Sequence, residues 1–227
     1  MTAGVEIPPS AYDRWRSTPL GAFTERLEHD LIISMSGPLE GAKVLDVGCG
    51  DGILTDKLVE LGADAVGVDT NPDMIAAAQA QRNGTYMVAS ATKLPFPDAF
   101  FDRVVAMTIL CVAERHESIL TEINRVLRPG GCLVIGELGR WSLWTLSRRL
   151  RGLFGNRLWQ RSRFFSKRDL VTLVANAGLE PVSFRSAVYY PPIGIAAATL
   201  SKIDPALAHF FGGFGAAFIV LSAQKHL

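Results

Sequence analysis

Apolar positions alternate between two rhythms from Lys43 to Glu137. Lys43–Val47, Ala65–Val68, Thr85–Ala89, Phe101–Met107 and Cys132–Glu137 are short apolar or β-branched runs with the length of buried strands. Between them, Ile53–Leu61, Asn71–Gln81 and Glu114–Leu127 carry apolar residues at helical spacing. In the last of these, Ile119, Leu120, Ile123, Val126 and Leu127 share one face. Asn71-Pro72 is a helix start with proline in its first turn, and Arg128-Pro129-Gly130-Gly131 reads as a turn before the fifth strand. Strands that alternate with helices predict a parallel sheet covered on both faces.

Leu20–Met35 predicts a helix lying outside the first strand. After Leu138 the rhythm changes. Trp141–Phe154 reads as helix, and Ser166–Ala177 as a helix opened by an S-x-x-D capping box and stopped at Gly178. Glu180–Tyr189 and Gly215–Ala223 are two final strands expected to pair as an antiparallel edge, and Tyr190-Pro191-Pro192 reads as a turn. The expected whole is one α/β domain over residues 1–227. It divides into an N-terminal arm and helix (1–39), a core (40–137), a basic aromatic insert or lid (138–168), and C-terminal helices with the last two strands (169–227).

Composition adds limits. No apolar run reaches the roughly 20 residues of a bilayer-spanning helix, because Lys202, Asp204, Pro205 and His209 interrupt the apolar C-terminal third. The N-terminus lacks a basic stretch followed by an apolar one, so a cytoplasmic protein is expected, with peripheral membrane association left open. Cys49, Cys111 and Cys132 form no C-x-x-C pair; reduced buried thiols and no metal site are expected. Net charge is +1, but residues 138–168 hold nine basic side chains and no acid, leaving −8 on the remainder. That asymmetry is local.

The chemistry concentrates at Val44–Gly52, V-L-D-V-G-C-G-D-G. A strand, a glycine turn and a helix present backbone N–H groups and a positive helix end to a ligand at the carboxyl edge of a sheet. A triphosphate loop would end in G-K-[ST], whereas this one ends in Asp51-Gly52-Ile53. The dinucleotide pattern G-x-G-x-x-G is one residue longer than Gly48-Cys49-Gly50-Asp51-Gly52, and Asp46 before it disfavours a pyrophosphate and suits a cationic ligand.

This stretch resembles motif I of class I S-adenosylmethionine-dependent methyltransferases. Four later stretches follow in the family's order: V-G-V-D-T-N-P-D-M ending at Met74, A-S-A-T-K-L-P-F-P-D from Ala89, F-D-R-V-V-A from Phe101, and R-V-L-R-P-G-G-C-L-V-I from Arg125. They look most like the small-molecule branch, similar to ubiquinone and menaquinone biosynthesis methyltransferases. The resemblance implies a Rossmann-like, doubly wound, seven-stranded sheet, mostly parallel with an antiparallel edge strand, binding S-adenosylmethionine. It implies that Asp69 takes the ribose hydroxyls with Thr70 beside it. Asp46 and the backbone near Gly48, Cys49, Gly50 and Met107 meet the methionine part. Met74 packs on the adenine edge or serves as core. Where the family carries an acid for the adenine amine this chain has Ser90, leaving the backbone of Ala91 and Thr92 to recognise the ring.

Methyl transfer needs an aligned, desolvated nucleophile more than a base. Base candidates are Glu137 after the fifth strand, His116 and Glu114 after the fourth, and Tyr12 on the arm. A [DNS]-P-P-[FYW] motif of nucleic-acid and protein N-methylation is missing after the fourth strand, which reads Met107-Thr108-Ile109-Leu110. Lid and substrate contacts are expected from Tyr12, Trp15, Trp141 and Trp144. For the basic insert three roles compete: a membrane surface contact, an RNA surface, and arginines paired with the acidic remainder while aromatics roof the pocket, the last preferred. The expected function is methyl transfer by in-line displacement to a small apolar or aromatic acceptor. A non-catalytic binding protein and an RNA methyltransferase are the alternatives, and oligomeric state is undetermined.

Overall fold

The computed structural model describes residues 9–194, 197, 200 and 203–227; the first eight residues of the arm and Lys202 lie outside it. Seven strands form one sheet in the order β3-β2-β1-β4-β5-β7-β6. The strands are β1 Lys43–Val47, β2 Asp64–Asp69, β3 Thr85–Val88, β4 Phe101–Met107, β5 Leu127–Leu138, β6 Leu179–Ala187 and β7 Phe218–Lys225. β1 to β5 pair in parallel, and β7 runs antiparallel between β5 and the edge strand β6. The order reverses at β1, which has β2 on one side and β4 on the other. A reversal of this kind opens a crevice beyond the carboxyl ends of the strands.

Side-chain alternation fixes the layers. Val44, Val105, Val134 and Val220 face one core with Ile32 of helix α2 (Pro19–Met35) and Leu54 and Leu58 of α3 (Ile53–Glu60). Their neighbours Leu45, Val104, Leu133 and Leu221 face the other core. There they meet Ile119, Leu120 and Ile123 of α5 (His116–Val126) and Leu170 and Val174 of α8 (Lys167–Asn176). Helix α4 (Pro72–Gln81) begins at Asn71, whose side chain accepts the Asp73 N–H, and its Ile75 and Ala78 pack on Tyr86 and Cys49. The capping box of Ser166 and Asp169 is present at α8.

Five segments depart from the expected pattern. The arm is helical over Pro9–Arg16 (α1), closed by Thr18, whose hydroxyl caps α2. The Arg128–Gly131 turn lies inside β5, where the ladder shifts between Phe101 and Arg103 and Gly130 takes φ +75°. Left-handed glycine lets the strand bulge without ending. After α6 (Leu143–Leu153) a short α7 (Arg157–Arg161) follows, and α9 (Asp204–Phe211) precedes β7. Tyr190 does more than turn the chain: it is buried and its hydroxyl bonds Thr24 Oγ1 at 3.0 Å, tying the segment to α2.

Candidate active site

The glycine loop takes its shape from its own backbone. Gly48, Gly50 and Gly52 have φ of +78°, +55° and +80°. A Cβ at Gly52 would fall 2.6 Å from the Tyr86 ring, whereas one at Gly50 would meet nothing within 4 Å. Gly52 is therefore a packing requirement, and Gly50 borders open space where a ligand can approach the backbone. The N–H groups of Gly48 and Cys49 are occupied by the Val68 carbonyl at 2.8 and 3.0 Å.

Asp69 stands at the end of β2 with each carboxylate oxygen held once: Oδ2 by the Gly50 N–H at 3.0 Å, Oδ1 by the Asn71 N–H at 2.8 Å. Each oxygen keeps lone pairs for a further donor, which suits a ribose diol. Asp46, by contrast, is 1% exposed and accepts from Thr55 at 2.7 Å. Burial, with the neighbouring Asp69 charge, pushes its carboxyl up to about 7 against the Thr55 bond. It is sealed beneath the loop, where it anchors the first turn of α3. The Cys49 thiol also turns inward, against Ile75, Ala78 and Tyr86, and Met74 is buried. Thr70 and Ser90 are exposed, Ala91 is buried, and Ser90 and Thr92 bond each other through their hydroxyls at 2.9 Å. The Ala89 N–H donates to the Asp69 carbonyl at 2.9 Å, which joins the start of the third-strand loop to the end of β2. Across the crevice, Met107 is half-buried and Thr108 adopts φ +53°, a strained conformation for a β-branched residue at the carboxyl end of β4.

The candidate bases fall into two groups. Glu137 is 0% exposed and accepts the backbone N–H groups of Leu110 at 2.6 Å and Cys111 at 3.2 Å; burial pushes it up to about 8 against these bonds. His116 is also buried; its Nε2 donates to the Leu110 carbonyl at 2.8 Å and its Nδ1 lies 3.4 Å from Arg163. Both residues thus fasten the loop after β4. Glu114 is exposed to solvent. Tyr12 differs: its ring is 39% exposed, yet burial of the hydroxyl and the nearby Cys111, Asp69 and Asp51 push it up to about 12. Its hydroxyl therefore stays protonated, within electrostatic reach of Asp69 and Asp51.

The arm is pinned there by a residue that the sequence pattern did not single out. Arg16 reaches Asp51 of the glycine loop at 2.5 Å, with Asp13 at 3.4 Å and Glu25 at 3.8 Å. Trp15 packs at the α1–α2 turn, where a Cβ on Gly21 would strike its carbonyl. Of the insert aromatics, Trp141 points outward and Trp144 is buried, its Nε1 donating to the Tyr190 carbonyl at 2.9 Å. Arg140 pairs with Asp169 at 3.0 Å, but Arg148, Arg149 and Lys167 lie over aromatic rings. Glu28, buried on α2 and pushed by desolvation up to about 7, was likewise invisible in the sequence pattern.

A sheet with its switch point at β1, a glycine loop bordering open space and a carboxylate beside it with lone pairs to spare define a Rossmann-like fold of the kind that binds nucleosides. Residues 45–135 match the methyltransferase domain family. The chain is 30% identical over 192 residues to a ubiquinone biosynthesis O-methyltransferase of Cereibacter sphaeroides, covering 76% of this chain and 74% of the relative. It is 33% identical over 175 residues to an uncharacterized methyltransferase of Synechocystis, covering 74% and 80%. Among solved structures, a SAM-dependent methyltransferase of Thermotoga maritima, described as a possible histamine N-methyltransferase, superposes with a TM-score of 0.73 at 26% identity over 95% of both chains. The chain belongs to the class I S-adenosylmethionine-dependent methyltransferases of the small-molecule type. It is an enzyme whose cofactor is S-adenosylmethionine.

Proposed function

We propose that the protein methylates a small apolar or aromatic molecule held between the arm, α2 and α6, by direct displacement, with α1 as the lid. The observation that carries this reading is the Arg16–Asp51 pair, which ties the arm to the glycine loop, with Tyr12 of that arm in electrostatic reach of Asp69. When bound, S-adenosylmethionine would supply an electrophilic methyl group, displaced from its sulfur by the lone pair of an aligned acceptor, whose proton would pass to solvent once the site reopens. Asp69, Gly50 and the Ser90–Thr92 turn hold the nucleoside, and the Glu137-anchored loop after β4 forms the wall on the acceptor side. With Glu137 and His116 committed to that loop, alignment and exclusion of water do the catalysis. No finding favours the non-catalytic or RNA-modifying alternatives. A screen of small acceptors with methyl-labelled cofactor tests the reading; label transfer confined to RNA or protein overturns it.

A second element of the proposal is peripheral contact with an anionic membrane surface. Helix α6 is turned with its leucines outward: Leu143, Leu146, Leu150 and Leu153 are exposed, the last at 81%, and Phe154 follows at 89%. Arg149 and Arg151 flank that row. A basic helix with an unburied apolar face suits a lipid interface, from which an apolar acceptor could be drawn. No helix among the described residues is long and apolar enough to cross a membrane. Co-sedimentation with phosphatidylglycerol vesicles should be lost in Leu146→Asp/Leu150→Asp, and absence of wild-type binding rejects this element.

A further inference from the structure

Residues 138–168 carry nine basic side chains and no acid, and three of those cations come together around one solvent-facing cavity of about 450 Å³. Arg140 after β5, Arg149 of α6 and Arg163 after α7 line it, with Trp159 and Phe164 as apolar walls. Each arginine has its own anchor. The Nε of Arg140 donates to the Phe164 carbonyl at 3.1 Å, and its Nη2 pairs with Asp169 at 3.0 Å. Arg163 is tied by its backbone N–H to the Cys111 carbonyl at 2.8 Å, and its guanidinium donates to His116 Nδ1 at 3.4 Å. Arg149 is exposed, with its guanidinium 5.6 Å from the Phe164 ring centroid.

Among the described residues, neither Arg149 nor Arg163 has a carboxylate within the 4.0 Å of an ion pair. The one acid that pairs with the group, Asp169, is already shared with the N–H and hydroxyl of Ser166. Three cations against one carboxylate leave two positive charges in excess around the cavity. A guanidinium cannot shed its charge by losing a proton, so the excess persists until an anion meets it. A carboxylate is satisfied by a single guanidinium fork. Donors that converge from three anchors suit a tetrahedral oxyanion with three free oxygens and a charge of about −1.5 to −2, which describes a phosphate monoester. The Phe164 ring under Arg149 and the His116 contact of Arg163 hold these donors in place before a ligand arrives, which lowers the ordering cost of binding.

We propose that this cavity binds a phosphate monoester, on a soluble molecule or at the headgroup of an amphiphile, with Arg149 and Arg163 as its main ligands and Arg140 completing it. The site stands outside the methyl-transfer crevice, since none of its lining residues belongs to the glycine loop, the Asp69 turn or the third-strand loop. It rests neither on the identity of the methyl acceptor nor on the vesicle contact of α6. Through Arg163, which holds Cys111 and His116, an occupant braces the same loop after β4 that Glu137 anchors.

The test titrates full-length protein with glycerol 3-phosphate and with glycerol by calorimetry. In parallel the protein is co-sedimented with phosphatidylcholine vesicles that contain either phosphatidate or phosphatidylglycerol at matched surface charge. Saturable binding of glycerol 3-phosphate, with none of glycerol, identifies a soluble source; retention by phosphatidate above phosphatidylglycerol vesicles alone identifies an amphiphile. In whichever arm binds, Arg149→Gln and Arg163→Gln each weaken binding by about tenfold through loss of a charge-assisted contact. Arg149→Lys keeps part of the affinity because the charge stays while the fork is lost. Arg157→Gln, at an exposed position of α7 outside the cavity, leaves it unchanged. Failure of both arms overturns the proposal, and so do equal losses in Arg149→Gln and Arg157→Gln, the result a diffuse basic surface gives. Arg149→Gln, being exposed, decides the outcome where loss of the His116 contact unsettles Arg163→Gln. Binding of S-adenosylhomocysteine, measured on every variant, shows that fold and crevice are intact, so a lost phosphate response then belongs to the cavity. If the wild type does not bind S-adenosylhomocysteine, the methyltransferase reading fails and the phosphate result is unaffected.

Discussion

At the scale of single residues, the site depends on carboxylates with different neighbours. Asp69 has two backbone N–H donors and spare lone pairs facing the crevice, so its removal costs ligand contacts more than stability. Asp69→Ala is expected to weaken S-adenosylmethionine binding by about 1.5–3 kcal/mol, roughly 10- to 150-fold, by calorimetry. Unchanged affinity removes Asp69 from the site. Glu137 presents the reverse case. It is buried and both oxygens are taken by Leu110 and Cys111 N–H groups, so Glu137→Gln sets an amide NH₂ against a backbone N–H. A loss of about 1–3 kcal/mol in chemical denaturation is expected, with a lower turnover because the loop after β4 shifts. Full stability with lost turnover would instead return Glu137 to the list of bases.

At the scale of elements, α1 is the piece that joins sequence to function through a single ion pair. Arg16 is largely buried with Asp51, so the pair is shielded from the screening that weakens surface pairs. Arg16→Ala should raise the dissociation constant for cofactor by about tenfold and leave the melting temperature nearly unchanged, since α1 contributes little core. If cofactor affinity is the same in stopped-flow and calorimetry, the arm is not a lid. This helix was not legible in the sequence: Ala-Tyr-Asp-Arg-Trp-Arg has no apolar period, and its fold comes from Thr18, Asp51 and Gly21. The strands were legible, β1 and β4 to the residue, because a sheet covered on both faces writes continuous apolar runs. The capping box of α8 and the Asn71 start of α4 were legible for a local reason, since their partners sit two or three residues away. Helix α9 was not, as its phenylalanines lie exposed and follow no buried stripe. The glycines could be read from their pattern and Asp69 from the motif resemblance, whereas Glu28 and Arg148 acquire meaning only from what faces them across the fold.

At the scale of the whole molecule, the fold buries several carboxyls, and this sets the pH dependence of stability. Burial pushes Glu28 and Asp46 up to about 7 and Glu137 up to about 8. A group whose folded value lies above its unfolded one keeps its proton longer in the native state. Its stabilising contribution is complete below the ordinary carboxylate range and is lost as pH rises to the folded value. Opposing groups act at lower pH. Asp102, Glu122 and Asp169 lie below the ordinary carboxylate range because hydrogen bonds and arginines outweigh desolvation, so their contribution disappears as pH falls. His29, pushed down to about 3 by burial and then by Lys57 and Arg16, also destabilises on acidification below its ordinary value near 6.5. The alkaline limb therefore belongs to the raised carboxyls, these three together with Glu25, Asp51 and Asp204. Differential scanning calorimetry should give a lower melting temperature at pH 9 than at pH 6, with most of the decline before pH 8. Glu28→Gln should make that limb shallower, whereas Glu40→Gln, at an exposed position, should not. A melting temperature that stays level or rises from pH 6 to pH 9 would mean that these carboxyls are already ionised in the native protein, and the interior around them would then be wetter than its burial implies.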